Sequence, residues 1–269
     1  MRSIFMTFVF LTAMSAHTES LAQENKNPGP YLENDACGFP ESNHAHPPIK
    51  WNQNTVCFIY EKLPRELEAP YLRPADEIAL YTKPASGTTS RVREFSKVST
   101  KGIIHDAFIA SAIDGKTRLF VIHSNISPSR WISVTGIYDV SVFESNENSI
   151  SYNKKASDLF GGSGDYINEQ EELFHSFPYK TRKAVQKMIN SKLFSLINPA
   201  TILKGSVKRK VYLHRDTPTS DSLEVTNSYL MKNEKIEIKD TSIGWRRILT
   251  PSQEDPPLAW IKCSDIQIH

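Results

Sequence analysis

The chain has 269 residues, 39% of them hydrophobic, with 32 basic against 30 acidic side chains and a formal net charge of +2. That is enough apolar material for one large domain or two small ones. The near balance of charge argues against nucleic acid as the main partner, because neutralising phosphates needs a concentrated basic face.

At the N-terminus one cation, Arg2, precedes an apolar run from Ile4 to Met14, and small and polar residues lead to Ser20-Leu21-Ala22. That order predicts a secretory signal over residues 1–22 and a periplasmic or secreted protein. The run is too short for a stable membrane span, which needs about 20 apolar residues. Three cysteines follow, Cys37, Cys57 and Cys263. An oxidising compartment would pair two of them. Cys37 with Cys57 is the favoured disulfide, because an irregular N-terminal segment with little core of its own has most need of a covalent tie. Cys263 is then a small buried apolar residue, and a bridge from it to either N-terminal cysteine is the alternative.

Residues 23–50 are rich in Asn, Pro and Glu and poor in aliphatic groups, which predicts an extended arm pinned by Cys37. From Trp51 the composition changes. Thr55-Val56-Cys57-Phe58-Ile59-Tyr60 is β-branched and aromatic and reads as a strand. Short apolar runs separated by Pro, Gly and Asn turns then continue through Glu77–Tyr81, Gly102–Ile109 and Arg118–Ile122 to Trp131-Ile132, giving a β domain over residues 51–150. Asp158 to Asp165 reads as a flexible, Gly-rich loop. From Pro178 the apolar positions Val185, Met188, Ile189 and Leu193 fall at helical spacing up to about Ile197, so residues 151–206 read as a helical linker. A dense basic patch, Lys204 to Lys210, leads into the last segment. Such a patch is usually a solvated lead-in to a strand, and it is also able to touch an anionic polymer or membrane surface.

The last segment opens with Val211-Tyr212-Leu213 and continues with Tyr229-Leu230, a polar turn and the alternating Lys235-Ile236-Glu237-Ile238 as a hairpin. Gly244-Trp245 and Ile248 come next, and it closes on Trp260-Ile261-Lys262 with Asp265-Ile266. Taken together these residues resemble the bacterial Src-homology-3 (SH3-like, SH3b) domains of periplasmic and cell-wall proteins, over about residues 207–268. Residues 77–143 look like a divergent second copy, matching at Ile78–Tyr81 and at Trp131–Ile137. The fold expected is therefore mainly β: two small SH3-like antiparallel barrels joined by a short helical linker. In that arrangement Trp260 packs inward and Trp245, delivered by the turn at Gly244, reaches the surface. Tyr212, Tyr229 and Trp245 are the expected ligand-binding groove.

The resemblance implies a protein or cell-wall peptide ligand. A stand-alone exported protein of this type suits an inhibitor or immunity protein against a toxin or wall hydrolase, and equally a sensor or adaptor at the envelope. No catalytic residue, cofactor or metal is expected. Neither Cys57 nor Cys263 has the following helix and downstream His of a cysteine-histidine peptidase. Gly161-Gly162-Ser163-Gly164-Asp165 misses the G-x-S-x-G spacing and reads as a hinge. His44 and His46, with Glu41, form a weak metal pattern without further ligands. Glu169, Glu171 and Glu172 read as the wet face of a helix. Two alternatives remain: a cell-envelope hydrolase with a site in residues 100–200, tested first at His105, Asp106 and His175, and a structural component of an envelope assembly.

Overall fold

The computed structural model describes residues 34–62, 76–85, 87–95, 101–127, 133–146, 149–217, 220–249 and 258–269. The predicted signal, the first part of the arm and the pair Trp131-Ile132 lie outside the described residues. The class is mainly β, as the sequence predicts. Among the described residues the strands form three antiparallel sheets and no closed barrel is present.

The first sheet follows chain order: β1 (His44–Trp51), β2 (Asn54–Lys62), β3 (Asp76–Pro84) and β4 (Ser90–Phe95). The arm is thus partly a strand. Its preceding turn carries Cys37, which is bonded to Cys57 across a separation of 20 residues. This disulfide contributes on the order of 3 kcal/mol by restricting the unfolded chain. On β2, Cys57 and Ile59 face Cys37 and Phe39, while Val56 and Phe58 face the interior.

The second sheet is built from β5 (Gly102–Ser111), β6 (Thr117–Ile126), β7 (Val134–Asn146), β8 (Ser149–Tyr152), β9 (Ser163–Ile167) and β10 (Leu173–His175). Its order is β10-β9-β7-β6-β5, with β8 also on β7. Residues 77–143, the expected second copy, are divided between sheets: they supply β3 and β4 to the first and most of β5 to β7 to the second. The reason lies in β6, where Leu119-Phe120-Val121-Ile122 is apolar at every position and every one is buried. A strand of that text needs cover on both faces. Leu119 and Val121 pack with Val56, Phe58, Leu80 and Phe95 of the first sheet. Phe120 and Ile122 point the other way, into a core that runs through the helices to the third sheet.

That second layer consists of α1 (Lys154–Asp158), α2 (Arg182–Ile189) and a 3-10 turn at Lys192–Ile197. The region expected as a helical linker is therefore mixed, since it also gives β9 and β10 to the central sheet. Ser163 to Asp165, expected in a loop, lies in β9. Glu169 to Glu172 form the turn between β9 and β10, not a helix, with the Asn168 carboxamide accepting from the backbone N–H of Gln170 and Glu172. The helix of residues 182–189 does bury Val185, Met188 and Ile189 as its spacing predicts, and Thr181 caps it by accepting from Ala184 N–H. Arg182 ties it to β5 through a bidentate pair with Asp106.

The third sheet comprises β11 (Leu203–Val207), β12 (Val211–Thr217), β13 (Ser220–Leu230), β14 (Lys235–Ser242), β15 (Trp245–Leu249), β16 (Leu258–Lys262) and β17 (Ile266–Ile268). Its order is β13-β12-β16-β15-β14-β11-β17. Residues 229–238, expected as a hairpin, instead turn a corner: β13 pairs with β12, and β14 pairs with β15 and β11. Leu213, Leu230, Ile236, Ile238, Ile248 and Ile261 bury one face of this sheet in the same core as Phe120. No helix of the described residues is long and apolar enough to cross a membrane.

Because Phe120 stacks on Phe108 at 5.6 Å and also meets Phe160 and Phe194, its loss opens the continuous core. Phe120→Ala is expected to cost about 3–5 kcal/mol, and Leu119→Ala, on the opposite face, about 2–5 kcal/mol. Urea unfolding followed by circular dichroism and tryptophan fluorescence measures both, and the two probes should give coincident transitions in the native chain.

Candidate functional site

The outward face of the third sheet collects the side chains that the buried face leaves over. Along β12 the alternation sends Leu213 inward and Tyr212, His214 and Asp216 outward. Tyr212 stands directly opposite Tyr229 of β13. Their rings meet edge to face at 6.0 Å, and each residue keeps about half its surface exposed, 49% and 50%. Large aromatic groups left half exposed on a sheet are informative, because an apolar partner gains by covering them.

Trp245 reaches the same face through the turn at Ser242 to Trp245, where Gly244 has φ +77, a backbone conformation open to glycine. Its indole contacts His214 edge to face at 4.6 Å. The three residues predicted as a groove therefore do share one surface. His214 connects the tyrosine pair to Trp245.

Further residues belong to this surface that the sequence reading did not place there. Trp260 of β16, expected to pack inward, lies on the outer side, because its neighbour Ile261 takes the core position. The Trp260 indole N–H donates to Asp216 Oδ1 at 2.7 Å, and Arg247 approaches the other carboxylate oxygen at 3.6 Å. Lys210 lies over the Tyr229 ring at 4.2 Å and near Tyr212 at 5.6 Å. Lys262, opposite Trp245 in register, lies 5.7 Å from its ring. Cation–ring contacts of this kind hold an ammonium group at a defined place without neutralising it.

Two adjoining open clefts result. One, of about 390 Å³, is bounded by Arg209, Lys210, Tyr212, His214, Val225, Lys262 and Asp265. The other, of about 400 Å³, lies between Trp245 and Trp260 and is completed by Leu223, Asp216 and Ser242. His214 is held below the usual imidazole range by burial and by the nearby Lys262 charge, so its ring is neutral near pH 7. The basic stretch from Lys204 contributes Arg209 and Lys210 to the first cleft, so part of it is more than a solvated lead-in.

The residues considered for catalysis are dispersed. His105 sits at a bulge in β5, with Nε2 2.7 Å from Ser124 Oγ and its ring stacked on Tyr138. Asp106 is occupied by Arg182. His175 Nε2 lies 3.3 Å from Ser163 Oγ. His105, Asp106 and His175 thus have three separate sets of partners. His44 and His46 lie on β1, where His46 Nδ1 meets the Pro47 carbonyl at 2.8 Å. Among the described residues no three His, Cys, Asp or Glu side chains converge as metal ligands. Cys263 is free and half-buried in a 3-10 turn, and burial pushes its thiol pKa up. No protein-family model, curated protein or solved structure matches the chain.

His123 is the most perturbed histidine. It is enclosed between the first two sheets, edge to face with Phe95 at 4.9 Å and bonded to Ser141 Oγ at 3.0 Å. Burial first, then the Arg93 and His105 charges, lower its pKa to about 3. Above pH 6.5 the ring is neutral in folded and unfolded chains alike. Below that value the unfolded chain takes up a proton that the folded site refuses, so stability falls with pH down to about 3. The expected slope from this group is about 1.4 kcal/mol per pH unit. Urea midpoints of the native protein and His123→Gln between pH 7 and pH 4 check this, and the variant should show the shallower decline.

Proposed function

We propose that the chain is an exported, non-catalytic binding protein that holds a protein or cell-wall peptide ligand on the outer face of its C-terminal sheet. The observation that carries this reading is the half-exposed Tyr212–Tyr229 pair, continued through His214 to Trp245. A rigid aromatic row on a sheet whose other face packs into the core offers contact area at low entropic cost. The Cys37–Cys57 disulfide supports an oxidising compartment, and a periplasmic or secreted location belongs to the same proposal.

The resemblance of residues 207–268 to bacterial SH3-like domains enters here as part of the reading. Its support is a compact antiparallel unit of short strands that carries all three predicted groove residues on one face. An inhibitor or immunity protein against a toxin or wall hydrolase is one role that this combination suits, and an envelope sensor or adaptor is another.

The competing hydrolase reading has one specific observation behind it, the His105–Ser124 pair at the β5 bulge. A hydrolase working there would lose its activity on Ser124→Ala and keep it on Trp245→Ala. The binding reading makes the opposite expectation about retention of a partner. Immobilised protein exposed to envelope extract of the producing cells, and separately to purified peptidoglycan, should retain a ligand from one of them. Replacing Tyr212, Tyr229 and Trp245 singly by Ala should weaken retention by about thirtyfold for at least one of them, the loss typical of an aromatic anchor worth about 2 kcal/mol. Retention from neither source, or retention indifferent to all three substitutions, rejects the proposal.

A further inference from the structure

The two clefts differ in character. In the first, the lining carboxylate, Asp265, is already committed: Arg209 Nε donates to it at 2.8 Å and a terminal guanidinium nitrogen lies at 2.6 Å. Lys210 and Lys262 have no carboxylate partner among the described residues; each is placed over aromatic rings instead. The cleft therefore presents two unneutralised ammonium groups beside the neutral imidazole of His214. Its complement is an anion.

In the second cleft the charges cancel internally. Both oxygens of Asp216 are engaged, one by the Trp260 indole and one by Arg247. The surface left for a ligand is Leu223, the two indoles and Ser242, so its apolar part is Leu223 and the indole pair. Its complement is an apolar side chain.

The spacing between the clefts follows from β12. His214 lines the first and Asp216 the second, two residues apart on one face of the same strand. Alternate residues of an extended chain lie about 6.6–6.8 Å apart and point the same way. An extended ligand running along β12 would thus present residues i and i+2 to the two clefts together. A free inorganic anion would use only the first, and a flat anionic surface would have no use for the recessed indole pair.

We propose that this face selects an extended acidic peptide in which a carboxylate side chain and an apolar side chain stand two residues apart, the carboxylate between Lys210 and Lys262 and the apolar group between Trp245 and Trp260. The inference rests on the binding function proposed above and names the chemistry of its ligand. Charge complementarity selects the acidic residue, and the strand repeat sets the interval.

The test uses the full chain and end-blocked synthetic peptides in which a Glu and a Leu, in either order, are separated by one residue in an otherwise Gly-Ser sequence. The controls place Glu and Leu adjacent, or replace Glu by Gln. Titration by fluorescence of the tryptophans should show binding of the spaced peptide at least about tenfold tighter than of either control, weakening as salt is raised. Lys210→Ala and Lys262→Ala should each reduce that affinity about tenfold or more, the usual scale for a lost charged hydrogen bond. Lys204→Ala, outside the clefts, should leave it unchanged. Equal binding of spaced and adjacent peptides overturns the proposal, as does indifference to both lysine substitutions. So does binding of inorganic phosphate or of anionic-lipid vesicles in place of the peptide. If no peptide binds while the native protein still retains a partner from extract through Trp245, this inference fails and the binding function stands; loss of both removes both.

Discussion

The structure depends on one strand with no exposed face. Leu119-Phe120-Val121-Ile122 cannot serve as the edge or surface of anything, because apolar groups on both sides of the backbone must be taken out of water. The first sheet supplies one cover and the helices with the third sheet supply the other. At the start of the same strand Arg118 is 1% exposed, its guanidinium held by Asp114 and Glu144 and lying over Phe194. A buried charge of this kind gives weak net stability. It does define where the end of β6 must meet β7 and the 3-10 turn at Lys192–Ile197.

How much of this was legible follows from what each signal reports. Periodicity reports burial, so the half-wet β14 with Ile236 and Ile238 and the amphipathic α2 with Val185, Met188 and Ile189 were readable. Compartment, and the little core that the N-terminal segment has of its own, made the Cys37–Cys57 pairing readable as well. Partner strands were not, because a strand's text states that it is covered without stating by what. Residues 77–143 carried the rhythm of a small barrel, yet the fully apolar β6 required two covers and so split the segment between sheets. The Gly-rich stretch at Gly161 to Asp165 had the composition of a hinge. Tertiary context made most of it strand, with Asp165 accepting from Phe177 N–H and pairing with Lys180.

The site shows the same division. Tyr212, Tyr229 and Trp245 stood out as aromatic side chains of the segment that resembles an SH3-like domain, and strand alternation does place them outward. Lys210, His214 and Lys262 were not joined to them, and Trp260 was expected inward, because their relation to those aromatics is set by sheet order. Strand β16 lies between β12 and β15, which brings His214 opposite Trp260 and Trp245 opposite Lys262. Nothing in the linear spacing of residues 210, 214, 245, 260 and 262 encodes that adjacency. The Trp-Ile motif is instructive, since it contained both the core residue and the surface residue, and only the pairing of β16 decides which is which.

Separation of the two faces of the third sheet has a consequence for how such a site can change. Leu213, Ile248 and Ile261 fix the backbone from within, so the positions of Tyr212, Trp245 and Trp260 are set by residues of the core. On the proposed function, substitutions on the outer face would alter what is bound while removing little buried area, whereas substitutions on the inner face disturb the core itself. The aromatic–cation row is thus free to vary on a scaffold whose rigidity comes from the core shared with Phe120. A protein that must match a changing partner benefits from that arrangement, because recognition and folding draw on different residues of the same strands.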